Sequence, residues 1–313
     1  MKVLIVANYN SGDYPSFVKE QVKDVIPLGV EIDYFGVKGK GVLGYLRNLK
    51  FLKSKIKAFA PDIIHAHYGF CGLLANLQRR IPVITTYHGS DIHSRGFILC
   101  LSRIAIKMSA YNLFVGQHLV DILRTKPENT RVLPCGIDLD IVKPICNVEA
   151  RRQLGWDFKK KYILFSSTFS RTIKNYQLAR QSVDLAGDYE LVELKGYTRE
   201  EVNLVMSASD LLLMTSFREG SPMVIKEAMA CNCPIVATNI ADIALLVDNV
   251  YNCFVTSFEP AEIAQKINQV IIDGRRTNGR AKIELMGLDN KNIAKELFRI
   301  YSIVMEKYRI KQI

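Results

Sequence analysis

Residues 210–238 read DLLLMTSFREGSPMVIKEAMACNCPIVAT. Asp210 to Thr215 is a short apolar run of strand length, and Pro234 to Thr238 is a second. Between them Ser221 is a natural N-cap and Pro222 a natural first helical residue, so the spacing predicts a helix opening there. Strand, helix and strand in so short a span make a parallel βαβ unit, because parallel neighbours need a crossover connection.

The same alternation recurs outward in both directions. Strand candidates before the middle of the chain are Val3–Ala7, Val30–Phe35, Asp62–Ala66, Val83–Tyr87, Tyr111–Val115 and Arg131–Pro134. After it come Tyr162–Ser166, Glu190–Leu194 and Cys253–Val255, with helical patterns at Phe17–Leu28, Tyr45–Phe59, Ala261–Ile272 and Ile293–Tyr308. A chain of 313 residues suits two domains. The predicted class is therefore α/β, with two tandem doubly wound domains over 1–142 and 143–291, Leu139 to Val148 as linker, and a last helix, 292–313. Ligands of open parallel sheets bind outside the carboxyl ends of the strands, which for two such domains predicts a facing, shared cleft.

Composition narrows the function. Hydrophobic residues make up 49% and charged residues 23%, which excludes disordered and collagen-like chains. No apolar run approaches the roughly 18 residues of a spanning helix, and Val3 to Ala7 reads as a buried strand rather than a leader. Seven cysteines without paired spacing fit a reducing compartment, so a cytoplasmic location is expected. The net charge of +11 is concentrated early: seven bases and no acid lie between Lys38 and Lys57, which favours an anionic partner.

A helix opening after Ser221 leaves the amides of Met223 and Val224 without intrahelical acceptors at a positive helix end, a site for a phosphate oxygen. Glu219 and Glu227 bracket that end, and carboxylates accept hydrogen bonds from sugar hydroxyls. The plainer alternative is a helix whose glutamates only face solvent.

This stretch resembles the E-x7-E region of the retaining GT-B glycosyltransferases of family 4. So do Pro234-Ile-Val-Ala-Thr, Thr86-Tyr87-His88-Gly89-Ser90-Asp91 and Leu133-Pro134-Cys135-Gly136-Ile137-Asp138. The resemblance implies two Rossmann-like domains and a nucleotide-sugar donor held mainly by the second. It also implies a saccharide or lipid-linked acceptor held by the first, transfer with retention, and no metal or other cofactor. The terminal helix would then cross back to the first domain. Carried over, Glu219 would contact the donor sugar and Glu227 the ribose, with Gly220, Ser221, Met223 and Val224 lining the donor. Arg171 and Lys174 resemble the pair that grips the diphosphate, where preorganised cations stabilise the departing charge. His88 matches a histidine beside the reacting sugar, Gly12 a loop that lets backbone approach the ligands, and His67 and Asp91 fall near the acceptor. Lys195, Gly196 and Tyr197 are the candidate base contacts.

Other patterns point elsewhere. Gly39-Lys-Gly41-Val-Leu-Gly44 fits G-x-G-x-x-G, but it follows the second strand, against nicotinamide binding. Asp138-Leu139-Asp140 resembles a metal-holding D-x-D but belongs to the interdomain segment, and His65 with His67 has no evident third ligand. In Gly44–Phe59, Tyr45, Leu46, Leu49, Leu52, Ile56 and Phe59 form an apolar stripe, and Arg47, Lys50, Lys53 and Lys57 a basic one. The basic stripe fits either a solvated face or the inner face of an anionic membrane. Nucleic acid is disfavoured, since no aromatics interleave with the bases. The reading that results is a retaining, metal-independent hexosyltransferase of cell-surface polysaccharide synthesis. A non-catalytic nucleotide-sugar-binding protein and a sugar-nucleotide epimerase on the same scaffold are the alternatives.

Overall fold

Every expected strand forms, and the strands divide into two wholly parallel sheets. The structure, a computed structural model, describes residues 1–39, 41–94, 96–123 and 127–310, with backbone alone at 42 and 199. Lys40 of the glycine-rich run and residues 311–313 of the expected last helix lie outside the described residues.

The first sheet comprises β1 (Lys2–Asn8), β2 (Glu31–Val37), β3 (Ile63–His67), β4 (Val83–Tyr87), β5 (Tyr111–Phe114) and β6 (Thr130–Val132), ordered β2-β1-β3-β4-β5-β6. The second comprises β7 (Tyr162–Phe165), β8 (Glu190–Glu193), β9 (Leu211–Met214), β10 (Ile235–Thr238) and β11 (Cys253–Thr256), ordered β11-β10-β9-β7-β8. Both orders are doubly wound. The direction of winding reverses between β1 and β3 in one sheet and between β7 and β9 in the other, and the crevice at such a reversal is where open α/β sheets bind ligands.

Helices cover the faces. On one face of the first sheet Leu4, Val6, Ile64 and Ala66 pack against Leu52 of the helix Leu49–Phe59 and against Cys71, Leu74 and Ala75 of the helix Gly69–Asn76. In the second, Ile163, Phe165, Leu211, Leu213 and Val236 pack against Leu178 and Val183 of Tyr176–Ala186 and Ile263, Ile267 and Val270 of Pro260–Asp273. Strands so buried on both faces explain the continuous apolar runs in the sequence.

The chain divides into two compact units, Met1–Gly136 with Asn290–Ile313, and Ile137–Asp289. The divisions fall at 136/137 and 289/290 rather than at 142/143 and 291/292. The reason lies in the expected linker, which the second unit holds fast. Ile137 donates its amide to Leu288 O at 2.9 Å, and Arg280 reaches the carbonyls of Leu139 and Val142. Two helices also differ from expectation. Tyr45–Phe59 is broken into Gly41–Leu46 and Leu49–Phe59, where the Asn48 amide group caps the carbonyls of Gly44 and Tyr45. Leu46, expected in the apolar stripe, is exposed for that reason. Phe17–Leu28 ends as a helix at Lys23, followed by a short 3-10 turn at Ile26–Leu28.

Candidate functional site

The reversal in the second unit gathers most of the residues singled out for donor binding. β7 leads into a loop ending in the 3-10 turn Thr172–Lys174, and β9 leads into Thr215–Glu219. The Thr215 hydroxyl donates to the carbonyls of Lys174 and Asn175, and the Phe217 amide donates to Ile173 O, so the two loops are sewn together. This brings Lys174 to Glu219: its ammonium donates to Oε1 at 2.5 Å, with side chains only 9% and 16% exposed. Such a pair is held by low local dielectric and keeps two of the three ammonium protons for other acceptors. Arg171 stands exposed three residues earlier. The hydroxyls of Ser166, just past β7, and Ser216, just past β9, are buried without hydrogen-bond partners. Unpaired buried hydroxyls are costly and concentrate at functional positions.

The helix after this loop is Met223–Ala230, one residue later than expected, and Ser221 does not cap it. Pro222 occupies the cap position in an extended conformation, and its carbonyl accepts the Ile225 amide at 3.2 Å. The Ser221 hydroxyl instead accepts from the buried Lys226 ammonium at 2.9 Å, a charge-assisted bond stronger than a neutral cap. The amides of Met223 and Val224 remain first-turn donors. Gly220 is partly exposed between Glu219 and this turn, and Glu227, 9% exposed, lies in the helix's second turn. Sequence reasoning passed over Lys226, although a lysine inside the apolar run Met223–Ala230 was a visible signal.

In the first unit the reversal lies between β1 and β3, and the loops after β1, β3 and β4 meet there. Gly12, in the loop after β1, takes φ +83, which an L side chain would adopt only with strain. His67 closes β3 and His88 follows β4. His67 Nδ1 and His88 Nε2 lie 3.0 Å apart. His88 is packed by Phe17, with ring centroids 4.5 Å apart, and by Tyr68 at 4.8 Å. Tyr68 itself holds φ 72 and ψ 150, a region almost reserved for glycine, and strain of this kind gathers at functional sites. No sequence signal marked Phe17 or Tyr68. His65 is tied on both nitrogens, to the Tyr301 hydroxyl and to Thr86 Oγ1, each at 2.7 Å.

Burial pushes His65 and His88 down to about 3 and His67 well below its usual value, the neighbouring imidazoles adding to the effect for His67 and His88. All three are neutral at ordinary pH. Asp91, expected near the acceptor, accepts from the amides of Gly69 at 3.1 Å and Gly89 at 3.0 Å and so fastens the loops after β3 and β4. Its burial raises it to about 6 against those bonds. It also borders a cavity of about 430 Å³ shared with Asn8, Ser11, Tyr45, Tyr68 and Ser90.

The competing patterns make local backbone contacts. Gly39 and Gly44 approach so closely that a Cβ on Gly44 would lie 3.0 Å from the Gly39 carbonyl carbon. Asp138 Oδ1 accepts the amides of Asp140 and Ile141. Among the described residues no three His, Cys, Asp or Glu side chains form a metal cluster, and no helix is long and apolar enough to cross a membrane.

Among curated relatives the amylovoran biosynthesis glycosyltransferase AmsK of Erwinia amylovora is 26% identical over 233 residues, 62% of this chain and 57% of that protein. The matches to two further relatives, the putative teichuronic acid biosynthesis glycosyltransferase TuaC of Bacillus subtilis and a glycosyltransferase of Methanocaldococcus jannaschii, span 55% and 78% of those proteins. Among solved structures, sucrose-phosphate synthase from Thermosynechococcus elongatus superposes with a TM-score of 0.83 at 15% identity, covering 98% of this chain and all of that one. Anabaena HepE in complex with UDP gives 0.78 at 18% identity, covering 96% and 100%, and HepE is also known with UDP-glucose. The model "Glycosyltransferase Family 4" matches residues 3–141 and the model "Glycosyl transferases group 1" matches residues 167–273. Between them these take in well over half of the chain, which belongs to the family 4, or group 1, glycosyltransferases.

Proposed function

We propose that the protein transfers a sugar, with retention of configuration, from a nucleoside diphosphate donor to a saccharide or lipid-linked saccharide in polysaccharide synthesis. The observation that carries this reading is the Lys174–Glu219 pair at the reversal between β7 and β9, beside the first turn of the helix Met223–Ala230. One cation, a second exposed cation at Arg171 and two helix amides supply charge for a diphosphate; Glu219 and Glu227 supply acceptors for hydroxyls. As the glycosidic bond breaks, negative charge grows on the leaving diphosphate, and fixed donors lower that barrier most. With this charge already provided by side chains, no divalent cation is assigned. Gly12, His88 and the Asp91 cavity are assigned to the acceptor and the reacting end of the donor, while His67, expected near the acceptor, is fully buried behind His88 and touches no ligand itself. The UDP and UDP-glucose complexes of HepE support a nucleotide-sugar donor.

A thermal-shift panel of UDP-, GDP-, dTDP- and ADP-sugars, each with and without EDTA, tests the reading. At 100 times its Kd, the right donor should stabilise the fold by about 2.7 kcal/mol with the chelator present. Transfer to an acceptor separates this reading from a binding protein, and isomerisation of the donor without acceptor would indicate an epimerase. Silence across the panel would overturn the nucleotide-sugar reading, and stabilisation only with added magnesium or manganese would overturn the metal-independent assignment.

A membrane-facing role for the helices Gly41–Leu46 and Leu49–Phe59 is assigned on a separate observation. Leu43 is 75% and Phe51 66% exposed among Arg47, Lys50, Lys53 and Lys57. Exposed apolar side chains set between lysines match the chemistry of an anionic bilayer surface better than that of water alone.

A further inference from the structure

The His67–His88 contact admits only certain proton arrangements. Two neutral imidazoles 3.0 Å apart share one proton, so one nitrogen donates and the other accepts. His67 Nε2 decides which. It is buried and has no hydrogen-bond partner. If His88 Nε2 carried the proton, His67 would have to carry its own on Nε2, burying an N–H with no acceptor. Orphaned buried N–H groups are rarer in proteins than under-used acceptors, and cost about 1–3 kcal/mol. The economical arrangement puts the lone pair on His67 Nε2 and the proton on Nδ1.

We infer that His67 is a positioning residue: its Nδ1–H donates to His88 Nε2, fixing His88 as the neutral Nδ1–H tautomer and so as a hydrogen-bond donor toward the ligand. The inference rests on the proposed role of His88 at the reacting end of the donor. The packing supports it, since Phe17, Tyr68 and His67 contact the His88 ring and leave it little freedom to flip. Burial also keeps both rings neutral. A neutral imidazole donor can stabilise growing negative charge on an oxygen without itself transferring a proton, which suits a site where leaving-group charge has to be met.

The chain has only five histidines, so selective nitrogen-15 histidine labelling gives a readable spectrum of the free protein. His88 Nε2 should show the shift of an unprotonated ring nitrogen and Nδ1 that of a protonated one. His67→Asn keeps an N–H near the position of Nδ1 and should preserve the His88 pattern. His67→Leu removes the donor and should convert His88 to the other tautomer or a mixture. If His67 only fills space, the order reverses: Leu, suited to a dry site, would leave His88 unchanged, and Asn would disturb it. Thermal melts of both variants show that each is folded. With the best donor of the panel, His67→Leu should lower kcat by roughly ten- to a hundredfold, the usual cost of losing a partner that orients a functional imidazole, with His67→Asn close to wild type. A protonated His88 Nε2 in the wild-type protein, or an unchanged His88 tautomer in His67→Leu, overturns the inference. Full activity in His88→Ala instead overturns the role given to His88, whatever the tautomer.

Discussion

A carboxylate at the second turn of a helix is unremarkable until its surroundings are counted. Glu227 is 9% exposed, in a helix whose first turn stands beside the Lys174–Glu219 pair. Binding a ribose there would exchange water for charge-assisted hydrogen bonds. Glu227→Ala should therefore weaken nucleotide-sugar binding by about 1.5–3 kcal/mol, roughly ten- to a hundredfold in Kd by calorimetry. Glu219→Ala should act differently, since Glu219 also holds Lys174: turnover should fall more than affinity does. Equal, wild-type behaviour in both variants would remove the pair from the donor site. Glu219 and Glu227 were legible because the E-x7-E spacing lies in the sequence itself. Phe17, Tyr68 and the tether from Tyr301 to His65 were not, because they come together only when loops after three strands and a helix some 230 residues away converge on one sheet edge.

Strands were the readable elements and helix ends the unreadable ones. Strands buried on both faces write themselves as apolar runs, so each appeared within one or two residues of its expected bounds. The break at Asn48 and the late start at Met223 depend on side chains that cap or decline to cap, Asn48 taking two carbonyls and Ser221 serving Lys226 instead. That break turns the helix Leu49–Phe59 into a separate basic element. Its Lys50, Lys53 and Lys57 line a groove of about 650 Å³ with Arg80. Each lysine near an anionic surface contributes about 1 kcal/mol, so replacing all three with alanine should cost roughly a hundredfold in affinity for phosphatidylserine-containing vesicles at low salt. Flotation with neutral and anionic vesicles measures it, and a wild-type protein that ignores both returns the stripe to a solvated face. The last helix, Asn290–Ile310, makes its own prediction. Tyr301 is fully buried and its hydroxyl satisfies His65 Nδ1. Tyr301→Phe strands that nitrogen and should lower stability by about 1–3 kcal/mol in urea unfolding. A loss of a few tenths would mean the contact contributes little.

At the scale of the molecule, the two units differ in how they meet acid. The buried histidines 65 and 67, the partly buried His88 and the buried Asp91 all belong to the unit made of residues 1–136 with the terminal helix. Each histidine is depressed in the folded state, to about 3 for His65 and His88, from an unfolded value near 6.5. Below pH 6.5 the unfolded chain takes up these protons and the folded one does not, so the stability they contribute is present above 6.5 and is lost as pH falls. One proton difference is worth about 1.4 kcal/mol per pH unit, so the three histidines alone amount to roughly 2 kcal/mol per unit at 6.5 and approach roughly 4 about a unit lower. Asp91 works in the opposite sense. Raised to about 6, it takes a proton in the folded state before the unfolded chain does, which offsets one of the three between about 6 and 4. The net slope there should be roughly 3 kcal/mol per pH unit, enough to exhaust an ordinary domain's stability between pH 6 and 4. The residues of the second unit carry no histidine. Hydrogen exchange at pH 7.5 and 5.5, corrected for the intrinsic rate, should therefore show protection falling across β1, β3, β4 and the terminal helix well before it falls across β7 to β10. His65→Gln, which keeps hydrogen-bonding capacity without a titrating ring, should flatten the acid slope by about one proton. Equal loss in both units, or a slope that His65→Gln leaves unchanged, would show that the buried imidazoles do not set the acid limit.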